Sequence, residues 1–151
     1  MDTGQLCSRK PITVHRSDDL TCAAQLMREK HIGYLVVVDS DAADEPRRPV
    51  GVVTDRDIVI AVVAREADPR ELRVGDIMTQ PPVTIGVAEP VEKALREMRR
   101  IGVRRLPVVG KRGELIGVLS LDDVLEVLAM DLQHLAGSIR QEWLVEASLR
   151  S

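Results

Sequence analysis

The sequence predicts a mixed α/β (α+β) fold, with two copies of one β-α-β-β-α unit that pack on each other and a helix at the C-terminus. Three observations predict it. The chain repeats itself, each copy alternates β-branched runs with apolar residues at helical spacing, and aromatic residues make up only 1% of the 151 residues. Because aromatic side chains are so few, the core of this fold must be aliphatic.

An internal repeat divides most of the chain into two copies. At an offset of 71 residues the copies share several identical pairs, among them Pro11 and Pro82, Met27 and Met98, and Val37 and Val108. The offset later falls to 66, because ten residues at 40–49 stand where five stand at 111–115. The predicted division is therefore repeat one at 1–66, repeat two at 67–130 and a C-terminal amphipathic helix at 131–151.

Each copy contains three predicted strands and two predicted helices. The β-branched runs predict strands at 12–14, 34–38 and 50–53 in repeat one, and at 83–85, 106–109 and 115–119 in repeat two. The second helices are expected at 55–65 and 121–129. Ser17 is the expected N-cap of the first helix in repeat one, and Pro90 suits the first turn of its counterpart in repeat two.

Two further apolar segments predict contacts outside the repeats. Residues 58–64 are apolar on every side, whereas a surface helix of a small monomer has a polar face, so we expect a homodimer contact there. In the tail, apolar residues recur at helical spacing at Leu132, Leu135, Ile139, Trp143 and Ala147. The favoured interpretation is a helix packed on the protein's own dimer. The alternative is a docking helix for a protein effector, anchored by Trp143.

Composition and charge exclude several classes of function. The net charge of −3 and the scarcity of aromatic residues argue against a nucleic-acid partner. No apolar run approaches the roughly 20 residues that cross a membrane, and no basic and apolar leader opens the chain, so a cytoplasmic location is expected. Cys7 and Cys22 fit a reducing compartment, and His15, His31 and His134 lack the spacing of metal ligands.

A seven-residue motif occurs in both copies where a strand meets a helix. It reads Gly-Val-Val-Thr-Asp-Arg-Asp at 51–57 and Gly-Val-Leu-Ser-Leu-Asp-Asp at 117–123. The spacing by itself is that of a capping box, in which the hydroxyl and the acid three residues later bond to each other's backbone. A binding function is compatible with it. A helix start offers N–H groups to phosphate, and a carboxylate accepts hydrogen bonds from a ribose diol.

These motifs resemble a tandem pair of CBS (cystathionine β-synthase) domains, also called a Bateman module, as do Asp76-Ile77-Met78-Thr79 and the segment 103–109. The resemblance runs from about residue 4 to 129. It implies two repeats packed through their sheets with the helices outside, two clefts between the sheets, and a flat dimer contact. It also implies a regulatory ligand-binding module that is not an enzyme. Its ligands would be AMP, ADP or ATP, with S-adenosylmethionine or NAD as alternatives.

The resemblance implies site residues as well. They are Asp57 and Asp123 for ribose, Thr54, Ser120, Arg104 and Arg105 for phosphate, and Thr13 and Thr84 for adenine. No residue is implied in catalysis or as a metal ligand.

The two clefts are not expected to be equivalent. Where repeat two has Arg104-Arg105, repeat one has Gly33-Tyr34. Tyr34 would stack on a base, although a packing role is favoured. Because a phosphate drawn out of water needs a positive partner, we expect the repeat-two motif, with its arginines beside Ser120, to hold a phosphorylated ligand more tightly. The other cleft would take a less charged adenosyl compound or stay empty.

Three functions are compatible with these features. The leading hypothesis is a stand-alone signal-transduction protein that senses an adenosine-containing ligand. The alternative is a structural dimerisation adaptor with degenerate clefts, acting through its C-terminal helix. A small enzyme is least favoured, because no base, nucleophile and orienting group form one constellation.

Overall fold

The computed structural model describes residues 1–39 and 46–151 and has the predicted mixed α/β fold. The elements follow in the order α1 (Thr3–Leu6), β1 (Thr13–His15), α2 (Leu20–Lys30), β2 (Tyr34–Val38), β3 (Pro49–Thr54), α3 (Asp55–Ile58), a π-helical turn (Val59–Val63), α4 (Val74–Ile77), β4 (Ile85–Gly86), α5 (Val91–Ile101), β5 (Arg105–Val109), β6 (Leu115–Ser120) and α6 (Leu121–Arg150). Among the described residues, no helix is long and apolar enough to cross a membrane.

Each repeat contains one three-stranded sheet, in the order β1-β2-β3 or β4-β5-β6. In both sheets the first pair of strands is parallel and the second pair is antiparallel. The register places Tyr34 opposite Thr54 in repeat one and Arg105 opposite Ser120 in repeat two. The start of the middle strand therefore lies beside the residue that begins the second helix, at the same edge of both sheets.

The core is aliphatic, as the composition predicts. One helix face in each repeat covers the sheet at matching positions, which are Leu20, Ala23 and Met27 in α2 and Val91, Ala94 and Met98 in α5. The two repeats form separate clusters of buried residues. Burial of such side chains against β-branched strands is the main favourable contribution to the stability of each repeat.

The opening segment of each repeat packs on the other repeat. At the N-terminus, the Gly4 amide donates to the Val87 carbonyl (2.9 Å), and Ser8 forms an antiparallel bridge with Val118. In return, Thr79 of repeat two forms the same bridge with Val52 of repeat one. Cys7 accordingly lies in the core of repeat two, while Val74 of α4 and Met78, the C-cap of that helix, lie in the core of repeat one. This exchange holds the two repeats together.

The glycine of each motif makes room for this crossing. A Cβ on Gly117 would overlap the carbonyl oxygen of Ser8, and one on Gly51 would lie 3.0 Å from the carbonyl oxygen of Thr79. A glycine is therefore required where the backbone of the exchanged segment runs against the sheet. The structure thus gives the motif glycines a packing role, since protein backbone approaches them closely.

Three local predictions were wrong. Asp19, not Ser17, is the N-cap of α2, because the Asp18 carboxylate accepts from the His15 amide and holds Ser17 in a turn before the helix. The helix expected at 55–65 is α-helical only over Asp55–Ile58 and continues as a π-helical turn. The helix expected at 121–129 does not end there, because α6 runs without a break to Arg150.

Two apolar surfaces remain exposed. In the π-helical turn, Val59, Ile60 and Val63 point outwards, and Val63 is 70% exposed. On α6 the last buried residue is Val124. The exposed apolar side chains of α6 are Leu125, Leu128, Met130, Leu132, Leu135, Ile139, Trp143, Leu144, Val145 and Leu149.

We predict that Gly117→Ala lowers the free energy of unfolding by about 1–3 kcal/mol, because the added methyl group forces Ser8 away from β6. Gly137→Ala is the matched control. A Cβ there meets no atom within 4 Å, and replacing a mid-helix glycine by alanine stabilises a helix by about 0.5–1 kcal/mol. Urea denaturation of both variants measures the difference. Equal stability of Gly117→Ala and the parent protein would contradict the crossing.

Candidate functional site

The two motifs form the capping boxes that their spacing predicts. In repeat one, the Thr54 amide donates to Oδ2 of Asp57 (2.9 Å), and the Asp57 amide donates to Oγ1 of Thr54 (3.2 Å). In repeat two, the Ser120 amide donates to Oδ2 of Asp123 (3.1 Å), and the Asp123 amide donates to Oγ of Ser120 (3.2 Å). No described residue donates a hydrogen bond to the other carboxylate oxygen of Asp57 or Asp123, so a ligand can use it.

A cleft of about 460 Å³, which we call the large cleft, lies between the two repeats. Repeat one lines it with Gly33, Tyr34, Val52, Thr54, Asp55, Arg56 and Asp57, and repeat two lines it with Thr79, Val83 and residues 101–106. Its lining is mostly apolar. Three guanidinium groups and two carboxylates also face it, which gives it a slight excess of positive charge. Such a surface suits a partly apolar, partly anionic molecule.

A second cleft, which we call the small cleft, has a volume of about 140 Å³. Its lining residues are Ser8, Lys10, Pro11, Ile12, Ile32, Tyr34, Arg105 and Val118. Most of these positions correspond to lining positions of the large cleft by the offsets of the repeat, as Ser8 does to Thr79 and Tyr34 does to Arg105. The two clefts are therefore symmetry-related sites that have diverged in size and charge.

The structure brings four of the eight predicted site residues together in the large cleft: Thr54, Asp57, Arg104 and Arg105. The lining of this cleft does not include Ser120, Asp123, Thr13 or Thr84. Thr13 borders a separate surface pocket with His15 and Arg47.

Both arginines lie in the cleft that the motif of repeat one lines, which the sequence did not predict, and their role beside Ser120 stays a prediction. The backbone of Arg105 is opposite Ser120 in the sheet, as expected. However, both arginines line the same cleft as Thr54. Because the repeats face each other, a side chain that leaves the edge of one sheet reaches the helix start of the other repeat.

The two arginines have different neighbours. Arg104 donates to Oδ1 of Asp122 (2.9 Å), but both side chains are more than half exposed, so the pair is weak and available for exchange. Arg105 places its guanidinium carbon 5.9 Å from the centroid of the Tyr34 ring. Burial raises the pKa of the Tyr34 hydroxyl, and the positive charge of Arg105 acts in the opposite direction. Tyr34 therefore stays neutral at physiological pH.

Neither cysteine is an activated nucleophile. Burial raises the pKa of the Cys7 thiol. The pKa of the exposed Cys22 thiol is also raised, because it bonds to the Asp19 carboxylate. Both thiols stay protonated at neutral pH, whereas a nucleophilic cysteine needs a lowered pKa. In residues 1–39 and 46–151, no three His, Cys, Asp or Glu side chains are grouped so that they could hold a metal ion.

Sequence reasoning did not identify Thr79, Val83, Ile101 or Lys10 as lining residues of the clefts. These residues lie in the other repeat or in the exchanged segments, far along the chain from the motifs.

Two repeats that exchange segments, with a cleft between them that the capping box of repeat one lines, define a tandem-repeat module. The sequence agrees, since the profile of the CBS domain matches residues 4–64 and 74–130. The chain belongs to the CBS domain family and is a tandem pair of CBS domains.

Curated relatives differ in length from this chain. An uncharacterized protein of Methanopyrus kandleri is 36% identical over 84% of this chain and 62% of its own length. The inosine-5'-monophosphate dehydrogenase of Korarchaeum cryptofilum is 38% identical over 77% of this chain, which spans 22% of that enzyme. The shared region is thus one part of these longer proteins.

Solved structures share most of this fold. A CBS domain protein of Pyrobaculum aerophilum complexed with AMP has a TM-score of 0.73 at 34% identity, covering 82% of this chain and 89% of that one. A putative signal-transduction protein of Burkholderia ambifaria has a TM-score of 0.76 at 31% identity, covering 87% and 96%. A hexameric CBS-CP12 protein of bloom-forming cyanobacteria has a TM-score of 0.69 at 30% identity, covering 83% and 69%.

We predict that Asp57→Ala and Asp123→Ala each lower the free energy of unfolding by about 0.5–2 kcal/mol, because each removes half of a capping box. The two losses should be similar, since the hydrogen bonds are alike in both repeats. Thermal or urea unfolding measures them. Unchanged stability in both variants would show that these boxes contribute nothing to the fold.

Proposed function

We propose that this protein is a non-catalytic regulatory module that binds an adenosine-containing nucleotide of the AMP, ADP or ATP type in the large cleft. One observation carries the proposal. The capping-box residues Thr54 and Asp57 of repeat one share a cleft with Arg104 and Arg105 of repeat two. A diol acceptor and two phosphate donors thus lie on opposite sides of one space.

Each residue has a role that its geometry supports. The oxygen of Asp57 that is not used in capping accepts hydrogen bonds from the ribose diol. The hydroxyl of Thr54 donates to phosphate while its oxygen keeps the helix cap. Arg104 and Arg105 pair with the phosphate, and Arg104 can do so because its exposed contact with Asp122 is weak.

The volumes favour the large cleft as the nucleotide site. Ligand pockets commonly measure about 300–1,000 Å³, and the large cleft, at about 460 Å³, lies in that range. The small cleft, at about 140 Å³, does not. By the symmetry of the repeats, Ser120, Asp123 and Thr13 belong to the small-cleft side, and Thr84 to the side of the large cleft. We therefore assign the phosphorylated ligand to the motif of repeat one, reversing the preference that the sequence alone suggested.

The relatives support an adenosine ligand. The Pyrobaculum protein, at 34% identity, is a complex with AMP. S-adenosylmethionine and NAD are alternative ligands with the same adenosine portion. A ligand that contacts both repeats would favour one of their relative arrangements, and a cytoplasmic protein effector would recognise that arrangement.

We predict that Asp57→Ala weakens AMP binding at least tenfold, because the ribose diol loses its acceptor. Asp123→Ala is the matched control, since it removes the same capping bond from the other repeat and should leave AMP affinity within about twofold. Isothermal titration calorimetry measures both. A loss in Asp123→Ala alone would move the site to the small-cleft side. If no adenosine compound raises the melting temperature of the parent protein, the binding proposal is wrong.

The alternative function is a structural adaptor that acts through α6. The exposed apolar residues of this helix favour it, because Leu125, Leu128, Leu132, Leu135 and Ile139 follow one another at alternating steps of three and four. That spacing is typical of a helix that pairs with another helix. The partner best matched to this stripe is the same stripe on a second copy. A membrane surface fits poorly, because residues 121–139 contain four acidic side chains and no lysine or arginine.

We also propose a homodimer through the apolar patch Val59, Ile60 and Val63, and the hexameric relative supports self-association. Two variants separate this patch from α6. We predict that Val63→Glu yields monomers in sedimentation velocity at micromolar concentration, because a buried unpaired carboxylate is costly. A chain that ends at residue 130 should stay dimeric. Dimer loss only on truncation would favour the adaptor, and a monomeric parent protein would contradict both contacts.

A further inference from the structure

Two residues belong to both clefts. Tyr34 and Arg105 line the large cleft and also line the small cleft. They occupy equivalent positions in the two repeats, 71 residues apart, and they contact each other as a cation–π pair with 5.9 Å between the guanidinium carbon and the ring centroid. The exposed Arg105 side chain and the half-buried ring on which it rests therefore border both clefts.

A phosphate in the large cleft and the ring of Tyr34 compete for the same guanidinium. Arg105 is exposed, and within residues 1–39 and 46–151 its guanidinium has no carboxylate partner and rests on the ring of Tyr34. A phosphate offers a stronger, charge-assisted contact than a ring does. Binding in the large cleft should therefore draw Arg105 away from Tyr34.

The small cleft can accommodate a planar heterocycle. Apolar walls come from Pro11, Ile12, Ile32 and Val118, and the ring of Tyr34 completes them. Ser8, Lys10 and Arg105 add polar groups to the same lining. A heterocycle that stacks on this ring must displace the guanidinium from the ring. Movement of Arg105 therefore changes the contacts that a ligand can make in either cleft.

We propose that Arg105 and Tyr34 couple the two clefts, so that a phosphorylated ligand in the large cleft increases the affinity of the small cleft for a planar heterocycle. The coupling rests on the proposed function, because it requires the phosphate of the nucleotide. It is reciprocal, since each ligand must change the affinity of the other by the same factor.

Isoleucine methyl groups give each cleft its own probe. Ile101 lines the large cleft, while Ile12 and Ile32 line the small cleft. NMR of the full chain with labelled isoleucine methyl groups follows a titration with adenine, with and without saturating AMP. We predict that AMP moves Ile101 and lowers the apparent Kd for adenine, measured at Ile12 and Ile32, about two- to fivefold. This is the size that an exposed cation–π contact implies.

Two arginine variants test the mechanism. In Arg105→Gln, adenine should bind the small cleft equally well with and without AMP. Arg104→Gln is the matched control, because Arg104 lines the large cleft but not the small one. It should weaken AMP binding and keep the coupling once AMP is saturating.

The outcomes separate the coupling from the proposed function. If AMP moves Ile101 but adenine affinity at Ile12 and Ile32 is unchanged, or if the coupling survives in Arg105→Gln, the coupling is wrong and the nucleotide site stands. Adenine that leaves Ile12 and Ile32 unmoved also overturns it. If AMP leaves Ile101 unmoved, the proposed function fails and the coupling fails with it.

Discussion

The exchange of opening segments between the two repeats is the constraint on which the rest of the structure depends. The backbone around Ser8 crosses β6, and the backbone around Thr79 crosses β3. Each crossing places a segment of one repeat in the core of the other, so neither repeat has its complete core alone. The same crossings hold the sheets face to face, and the clefts are the space left between them. Gly51 and Gly117 permit this approach because they have no side chain.

The capping boxes connect stability with binding. Thr54 and Asp57 begin α3 by bonding to each other's backbone, and those bonds fix their side chains at the edge of the large cleft. A ligand that bonds to the remaining lone pairs finds groups that are already ordered, which lowers the entropic cost of binding. As a consequence, one substitution in this capping box affects both folding and binding. The matching box of repeat two is therefore the reference for the effect on folding alone.

The difference between the clefts comes from a few substitutions within a symmetric frame. At one pair of equivalent positions, repeat one has Tyr34 and repeat two has Arg105, and the two side chains meet between the clefts. Arg104 faces Asp122 on its own repeat, whereas its counterpart Gly33 offers no side chain. The large cleft thereby carries charges of both signs, while the only charged residues among those described that line the small cleft are Lys10 and Arg105. Duplication and divergence of one repeat have therefore produced two related clefts that differ in volume and in their charged residues.

The sequence by itself determined the repeats, the strands, the aliphatic core and both capping boxes, because each depends on periodicity or on spacing within a few residues. It did not determine that α6 is one continuous helix from Leu121 to Arg150. Gly137 lowers the helix propensity of this segment, but one glycine does not break a helix. It did not determine the N-cap of α2 either, since Ser17, Asp18 and Asp19 all suit a cap and the turn selects among them.

Only the tertiary structure decided which motif the arginines of repeat two accompany. Spacing along the chain links Arg105 to Ser120, its neighbour in the same sheet. The arrangement of the two repeats also places it in the cleft that Thr54 and Asp57 line. A site formed between two repeats is assembled by long-range contacts, here the exchanged segments, and local sequence patterns do not record which surfaces those contacts bring together.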